Sequence, residues 1–273
     1  MSFAVSIAAL SLIQAGLVWL PGKQAAPPGF GSRRSRWLAV VPAGSIAVVI
    51  AAVGADNATA DLLTYLALVA VPPLAALALA GVCRGARPSL ALLVAPLFAI
   101  AWAASGTLAG EACGLALSGL ACVTLGTWLV ALVPSGWLKL GIYAMAAIDA
   151  ALVIADLLQG PNAVLAGAAP GAGLPRLQSE VFGSAMLGFG DLFIAATLGA
   201  LLVRDHRPQF PAAALAAAIA LSFDLLFLWV PELPATVQIA LTLALLELRA
   251  GRLAHGLMPE KETTPAHVPG ASV

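Results

Sequence analysis

Long apolar runs broken by short polar connectors dominate the chain. A membrane-crossing helix needs about 20 mostly apolar residues. Nine stretches approximate that pattern: 3–20, 37–54, 62–82, 89–108, 112–133, 137–158, 181–203, 211–230 and 234–248. The last is short, and the cut between the fourth and fifth rests on Gly110-Glu111. Pro72, Pro73 and Pro96 fall inside runs and predict kinks, which neighbouring helices accommodate in a bilayer. The pattern predicts an all-α membrane protein, a polytopic bundle of about nine transmembrane helices. Residues 1–257 read as a single transmembrane domain. Residues 258–273 are polar and carry Pro259, Pro265 and Pro269, which predicts a disordered tail. Two connectors are longer: 21–36, basic and Gly/Pro-rich, and 159–179, rich in Gly, Ala and Pro. No internal repeat stands out, which counts against an inverted-repeat transporter.

Composition agrees. Of 273 residues, 61% are hydrophobic and 10% charged, where soluble domains carry about 25% charged residues. The formal net charge is zero, so a basic surface for nucleic acid is not expected. Cys83, Cys113 and Cys122 are odd in number and lie in or beside apolar runs, so they read as packing residues rather than a disulfide framework. The first run has no Lys or Arg before it, so it reads as a spanning helix, not a cleavable signal peptide.

Loop charges predict an orientation. Lys23, Arg33, Arg34 and Arg36 fall in the first connector, and Arg84 and Arg87 in the third. Lys139 follows the fifth run, Arg204 and Arg207 the seventh, and Arg249 and Arg252 the ninth. The intervening connectors hold Asp56, Asp61, Glu111, Glu180 and Glu232, with Arg176 as their basic residue. Positive loops stay cytoplasmic. The N-terminus is therefore expected outside and the C-terminus inside, in a plasma (cytoplasmic) membrane.

Four acids lie within apolar runs: Asp149, Asp156, Asp191 and Asp224. A carboxylate at the bilayer centre costs roughly 2.5–3.5 kcal/mol on insertion scales, which makes each a functional candidate. Asp149 lies about nine residues, and Asp191 about eleven, from the outer ends of their runs, depths of roughly 13 and 16 Å at about 1.5 Å per residue. Two adjacent antiparallel helices would then carry carboxylates at nearly one level. Two such groups in a low dielectric share one proton, the arrangement an aspartic protease uses to activate water. Gly188 and Gly190 leave room beside Asp191 for an extended strand, and Pro234 interrupts backbone donors nearby. Gly183 and Ser184 are expected to let two helices pack closely. Asp156, seven residues after Asp149, would share its helical face and is an alternative partner.

Met186-Leu187-Gly188-Phe189-Gly190-Asp191 resembles the Gly-x-Gly-Asp signature of the presenilin and signal peptide peptidase family. Ile148-Asp149-Ala150 is similar to that family's sixth-helix Tyr-Asp element, and Leu233-Pro234-Ala235-Thr236 to its Pro-Ala-Leu element. The likeness covers mainly residues 139–249. It departs at Ile148, where the family has Tyr, at Thr236, where it has Leu, and in lacking a Pro after Asp191. The resemblance implies a presenilin-like bundle with a scaffold over about 1–135 and a catalytic core over about 136–250. It implies an intramembrane aspartic endopeptidase with Asp149 and Asp191 as the catalytic pair. Gly188, Phe189, Gly190, Leu233, Pro234 and Ala235 would contact substrate. The N-outside orientation implies substrates whose helices run N-inside, such as remnant signal peptides or type II anchors. No cofactor is expected, and the partners expected are transmembrane helices and the lipid bilayer, with a homo-oligomer left open.

Other chemistries fit less well. A zinc protease needs His-Glu-x-x-His or its like, whereas His206, His255 and His267 are assigned to connectors or the tail. A rhomboid-type serine enzyme needs Gly-x-Ser-Gly, and Ser118-Gly119 has Ala116 in the first position. Three alternatives remain: a prepilin-peptidase-like aspartyl protease, a proton-coupled transporter using the four acids, and an inactive protease homologue.

Overall fold

Apolar helices laid side by side make up most of this computed structural model, which describes residues 2–22, 57–157, 164, 167, 170–230 and 233–256. The helices are α1 (Phe3–Trp19), α2 (Asn57–Leu77), α3 (Val94–Ala103), α4 (Leu108–Leu132), α5 (Ser135–Ile154), α6 (Phe189–Arg204), α7 (Gln209–Asp224) and α8 (Ala235–Gly256). An antiparallel hairpin, β1 (Ser179–Phe182) and β2 (Ala185–Gly188), runs directly into α6. Among the described residues four segments are long and apolar enough to cross a membrane: Ala60–Val82, Leu108–Leu132, Ser135–Ile154 and Gln209–Leu228. The chain is a largely helical membrane protein. The expected stretch 37–54, most of the connector 21–36 and the expected tail 258–273 lie outside the described residues.

Several expected boundaries move. The run 181–203 is not one helix: residues 179–188 form the hairpin and the helix starts at Phe189. Gly183, at φ 63°, supplies the positive φ that the first position of a two-residue hairpin turn favours. Gly183 and Ser184 are thus a turn, not a helix–helix contact. The turn is held from two sides. Gly183 N–H donates to Glu111 Oε2 at 2.8 Å, and Ser184 N–H to Ser6 Oγ at 3.2 Å. The break between α3 and α4 falls just before Thr107, not at Gly110-Glu111. Gly106 turns the chain at φ 77°, and the Thr107 hydroxyl caps α4 by accepting from Gly110 N–H at 3.3 Å. α5 stops at Ile154, so Asp156 lies past its end, in the left-handed region at φ 53°. α2 runs through Pro72-Pro73 and gives way to a π-turn at Ala78–Val82. α8 extends to Gly256, which puts His255 in a helical last turn rather than in the tail.

α6 is the centre of the packing. From Leu192 to Leu202 every residue except Phe193 is buried, as expected of a helix enclosed on all sides. α1 and α4 run alongside it in the same direction. Gln14 meets Asp191, and Val18 meets Gly199. On the other flank Cys122 meets Phe189, and Val130 meets Arg204. Small residues permit these approaches. A Cβ on Gly199 would stand 2.4 Å from the Val18 carbonyl oxygen, and one on Gly126 would stand 2.9 Å from Thr197 N.

Among the described residues, Arg84, Lys139, Arg204 and Arg207 gather at one end of the bundle. Lys139 pairs with Glu247 at 3.1 Å and Asp205 at 3.6 Å, and Arg207 with Glu247 at 2.9 Å. Arg204 Nη1 donates to the carbonyls of Val130 and Val133 at the close of α4. Arg84 donates to Gln209, whose amide is shared among the carbonyls of Val18, Pro21 and Gly199. Burial pushes the neighbouring Cys83 thiol up to about 12, so it stays protonated and acts as a packing residue.

Candidate active site

Asp191 belongs to the first turn of α6. Its Oδ2 accepts the N–H of Gly188, the residue before the helix, at 3.1 Å. This is the reach-back of a first-turn acid to an otherwise unpaired donor, and a helix N-terminus favours the negative charge. The sequence placed Asp191 about eleven residues into a helix; in the structure the hairpin takes that outer leg. The level is still deep within the bundle. Gln14 Nε2 donates to the Asp191 carbonyl at 3.1 Å, and Gln14 lies about eleven residues into α1, roughly 16 Å along its axis at about 1.5 Å per residue.

Asp149 comes from the body of α5, where backbone donors are already used within the helix. Its partner is the start of α8. Thr236 donates to Asp149 Oδ2 twice, through its hydroxyl at 2.7 Å and its backbone N–H at 3.2 Å. α5 and α8 are antiparallel neighbours, pinned by Asp149–Thr236 here and by Lys139–Glu247 at the basic end. Gln14 also donates to the Ala235 carbonyl at 3.3 Å, which brings the N-termini of α6 and α8 to one level. There Asp149, held by Thr236, and Asp191, at the start of α6, border the same space.

Both carboxylates face a cavity of about 960 Å³, and so do Gly188, Phe189, Gly190, Leu233, Pro234 and Ala235. All eight residues selected from the sequence are therefore gathered around one space. A Cβ on Gly190 would meet no atom within 4 Å, whereas one on Gly188 would approach Asp191 Oδ2 to 3.2 Å. The free volume thus lies beside Gly190, and the tight spot beside Gly188. β2 leads into this corner, with Met186 and Leu187 on the cavity wall.

Asp156 is exposed, beyond the end of α5, and does not line the cavity. The expectation that it shares the face of Asp149 fails because the helix stops two residues earlier. Asp224 does line the cavity, with Ser11 donating to its Oδ1 at 3.1 Å. Sequence reading missed Gln14, Gln238 and the donor role of Thr236. Gln14 and Gln238 are buried amides in apolar helices and hydrogen-bond to each other. Buried amides in such runs are a legible signal, but not one that names a partner. Among the described residues, no group of three or more His, Cys, Asp or Glu is arranged to hold a metal ion. No protein-family model, no curated protein and no solved structure matches this chain.

Proposed function

We propose that this protein is an intramembrane aspartyl protease that cleaves transmembrane segments. The observation that carries the reading is that Asp149 and Asp191, from two separate helices, line one cavity. Its volume is at the upper end of the range for ligand sites, roughly 300–1,000 Å³, which suits a stretch of unwound peptide.

In this reading the pair holds one proton and one water. The ionised carboxyl takes a proton from water as its oxygen adds to the scissile carbonyl carbon. The neutral carboxyl gives its proton to the carbonyl oxygen. The tetrahedral diol then collapses, a proton passes to the amide nitrogen and the C–N bond breaks. The acid and base roles belong to the pair rather than to either residue. A helical substrate hides its peptide bonds, so it must first be extended. Among the described residues the sheet has two strands, and strand addition along β2 would carry a substrate past Gly188 and Gly190 to Asp191.

The basic end of the bundle is taken as cytoplasmic. The N-terminus is then outside, the C-terminus inside, and the dyad lies away from the cytoplasmic face. This supports N-inside substrates such as type II anchors or remnant signal peptides, and disfavours a prepilin-peptidase-like enzyme, which works near that face. Nine crossings complete the bundle in this reading, with the hairpin plus α6 as the seventh. One observation favours a proton-coupled carrier instead: Asp224 shares the cavity. Reconstitution separates the two. The protease cuts a type II helix in liposomes, and Asp149→Asn and Asp191→Asn each reduce cutting to background while folding is kept. If either variant still cuts, the dyad is wrong, and proton-dependent solute uptake without cutting establishes the carrier.

A further inference from the structure

We infer that Thr236 is a positioning residue for Asp149, holding Oδ2 at the N-terminus of α8 so that Oδ1 is the atom presented to Asp191 and the attacking water. The inference rests on the protease reading for its catalytic consequence. Its structural core does not.

Asp149 sits in mid-helix, where its own backbone offers no free donor. A carboxylate there can be oriented only by another element. α8 begins at Ala235, so the Thr236 N–H is one of the first-turn donors that no carbonyl of its own helix reaches. That N–H contributes one bond at 3.2 Å, and the hydroxyl adds a shorter one at 2.7 Å to the same oxygen. The hydroxyl has a single proton, and it goes to Asp149. The β-branched side chain is stiff about χ1, and Thr236 is buried, so the hydroxyl is held rather than swinging. Leucine, the residue in the similar Pro-Ala-Leu element, would leave only the N–H.

The two halves of the site are built alike. Asp191 Oδ2 is tied by Gly188 N–H, and Asp149 Oδ2 by Thr236. Among the described residues no donor reaches either Oδ1. Each carboxylate is clamped through one oxygen at a helix N-terminus, and the other is left for the shared proton and the water. Among the described residues, the other titratable group on the cavity wall is Asp224, bonded to Ser11.

The test uses the full chain in liposomes with a type II helix as substrate. Thr236→Val keeps the shape and removes the hydroxyl. Removing a hydrogen bond to a charged group is expected to lower kcat about tenfold or more, with KM changed less than about twofold. The pH–rate profile shifts as well, because one donor to a member of the pair is gone. Thr236→Ser restores both. A Val variant with wild-type kcat and an unmoved profile, alongside a dead Asp149→Asn, overturns the inference while leaving the protease intact. A second readout needs no activity. The carboxyl infrared band that disappears in Asp149→Asn is displaced in Thr236→Val and returns in Thr236→Ser. An undisplaced band overturns the inference even if the wild-type chain cuts nothing, which is how failure of the protease reading would show itself.

Discussion

The side-chain amide of Gln14 donates to the main-chain carbonyl of Asp191 at 3.1 Å, across 177 positions of sequence. The same amide reaches the Ala235 carbonyl, and its oxygen accepts from Gln238. α1 therefore ties together the starts of α6 and α8, the two helices whose N-termini bind the carboxylates. A helix that the sequence grouped with the scaffold is part of the site's frame.

Gln14→Leu leaves the buried Gln238 amide without this partner. The expected loss is about 1–3 kcal/mol, the cost of stranding one buried polar group. Gln14→Leu with Gln238→Leu recovers part of it, because replacing both partners by apolar groups is close to neutral. Thermal unfolding in detergent reads the cycle. A double variant no more stable than the single removes the proposed coupling.

The glycines divide into two kinds. Gly199→Val puts side-chain carbon where the Val18 carbonyl stands, so α1 must shift, at about 1–3 kcal/mol for overpacking. Gly190→Ala meets nothing in the fold and fills cavity space instead. Its unfolding temperature is expected to match wild type while KM for a helical substrate rises. Unfolding scans and cleavage kinetics on both proteins check this pair, and a destabilised Gly190→Ala would contradict the open space.

Asp156→Asn is expected to cut within about twofold of wild type, since the residue is exposed and outside the cavity, and Asn tolerates the left-handed backbone it occupies. Steady-state cleavage beside Asp149→Asn makes the comparison. A dead Asp156→Asn would return this residue to the reaction.

The basic end gives a milder forecast. Glu247→Gln removes the partner of Lys139 and Arg207, yet all three side chains are a quarter to a third exposed. The loss should stay at or below about 1 kcal/mol and shrink as salt rises. Unfolding scans at low and high salt measure it, and the cleavage rate should not change, because the pairs lie at the far end from the dyad.

Much of the candidate site is legible because its signals are local. An acid in an apolar run, two glycines before it and a Pro-Ala pair can each be read in a short window. Residues 181–188 read as helix because averaged hydropathy does not separate an extended apolar segment from a helix. The alternation of buried Ala185 and Leu187 with exposed Met186 and Gly188 spans only four residues. Ser105-Gly106-Thr107 carries a turn and cap signal that competes with Gly110-Glu111 a few residues on. Thr236 looked like a mere departure because its meaning lies 87 positions away, at Asp149. Gln14 and Gln238 were silent for the same reason: pairing between distant helices is a property of the fold.

The hairpin before α6 has a consequence for hydration. Strand backbone within a bilayer persists only where protein or water satisfies it, and a two-stranded sheet leaves an outer edge on each strand. β2 borders the cavity, so water there can satisfy the strand's outer edge, and in the protease reading the same water supplies the reactant. Drying the cavity removes both at once. In that reading a molecule that occupies the cavity replaces the lost solvent with amide-like groups along β2, which favours peptide-shaped ligands over oily ones of equal size.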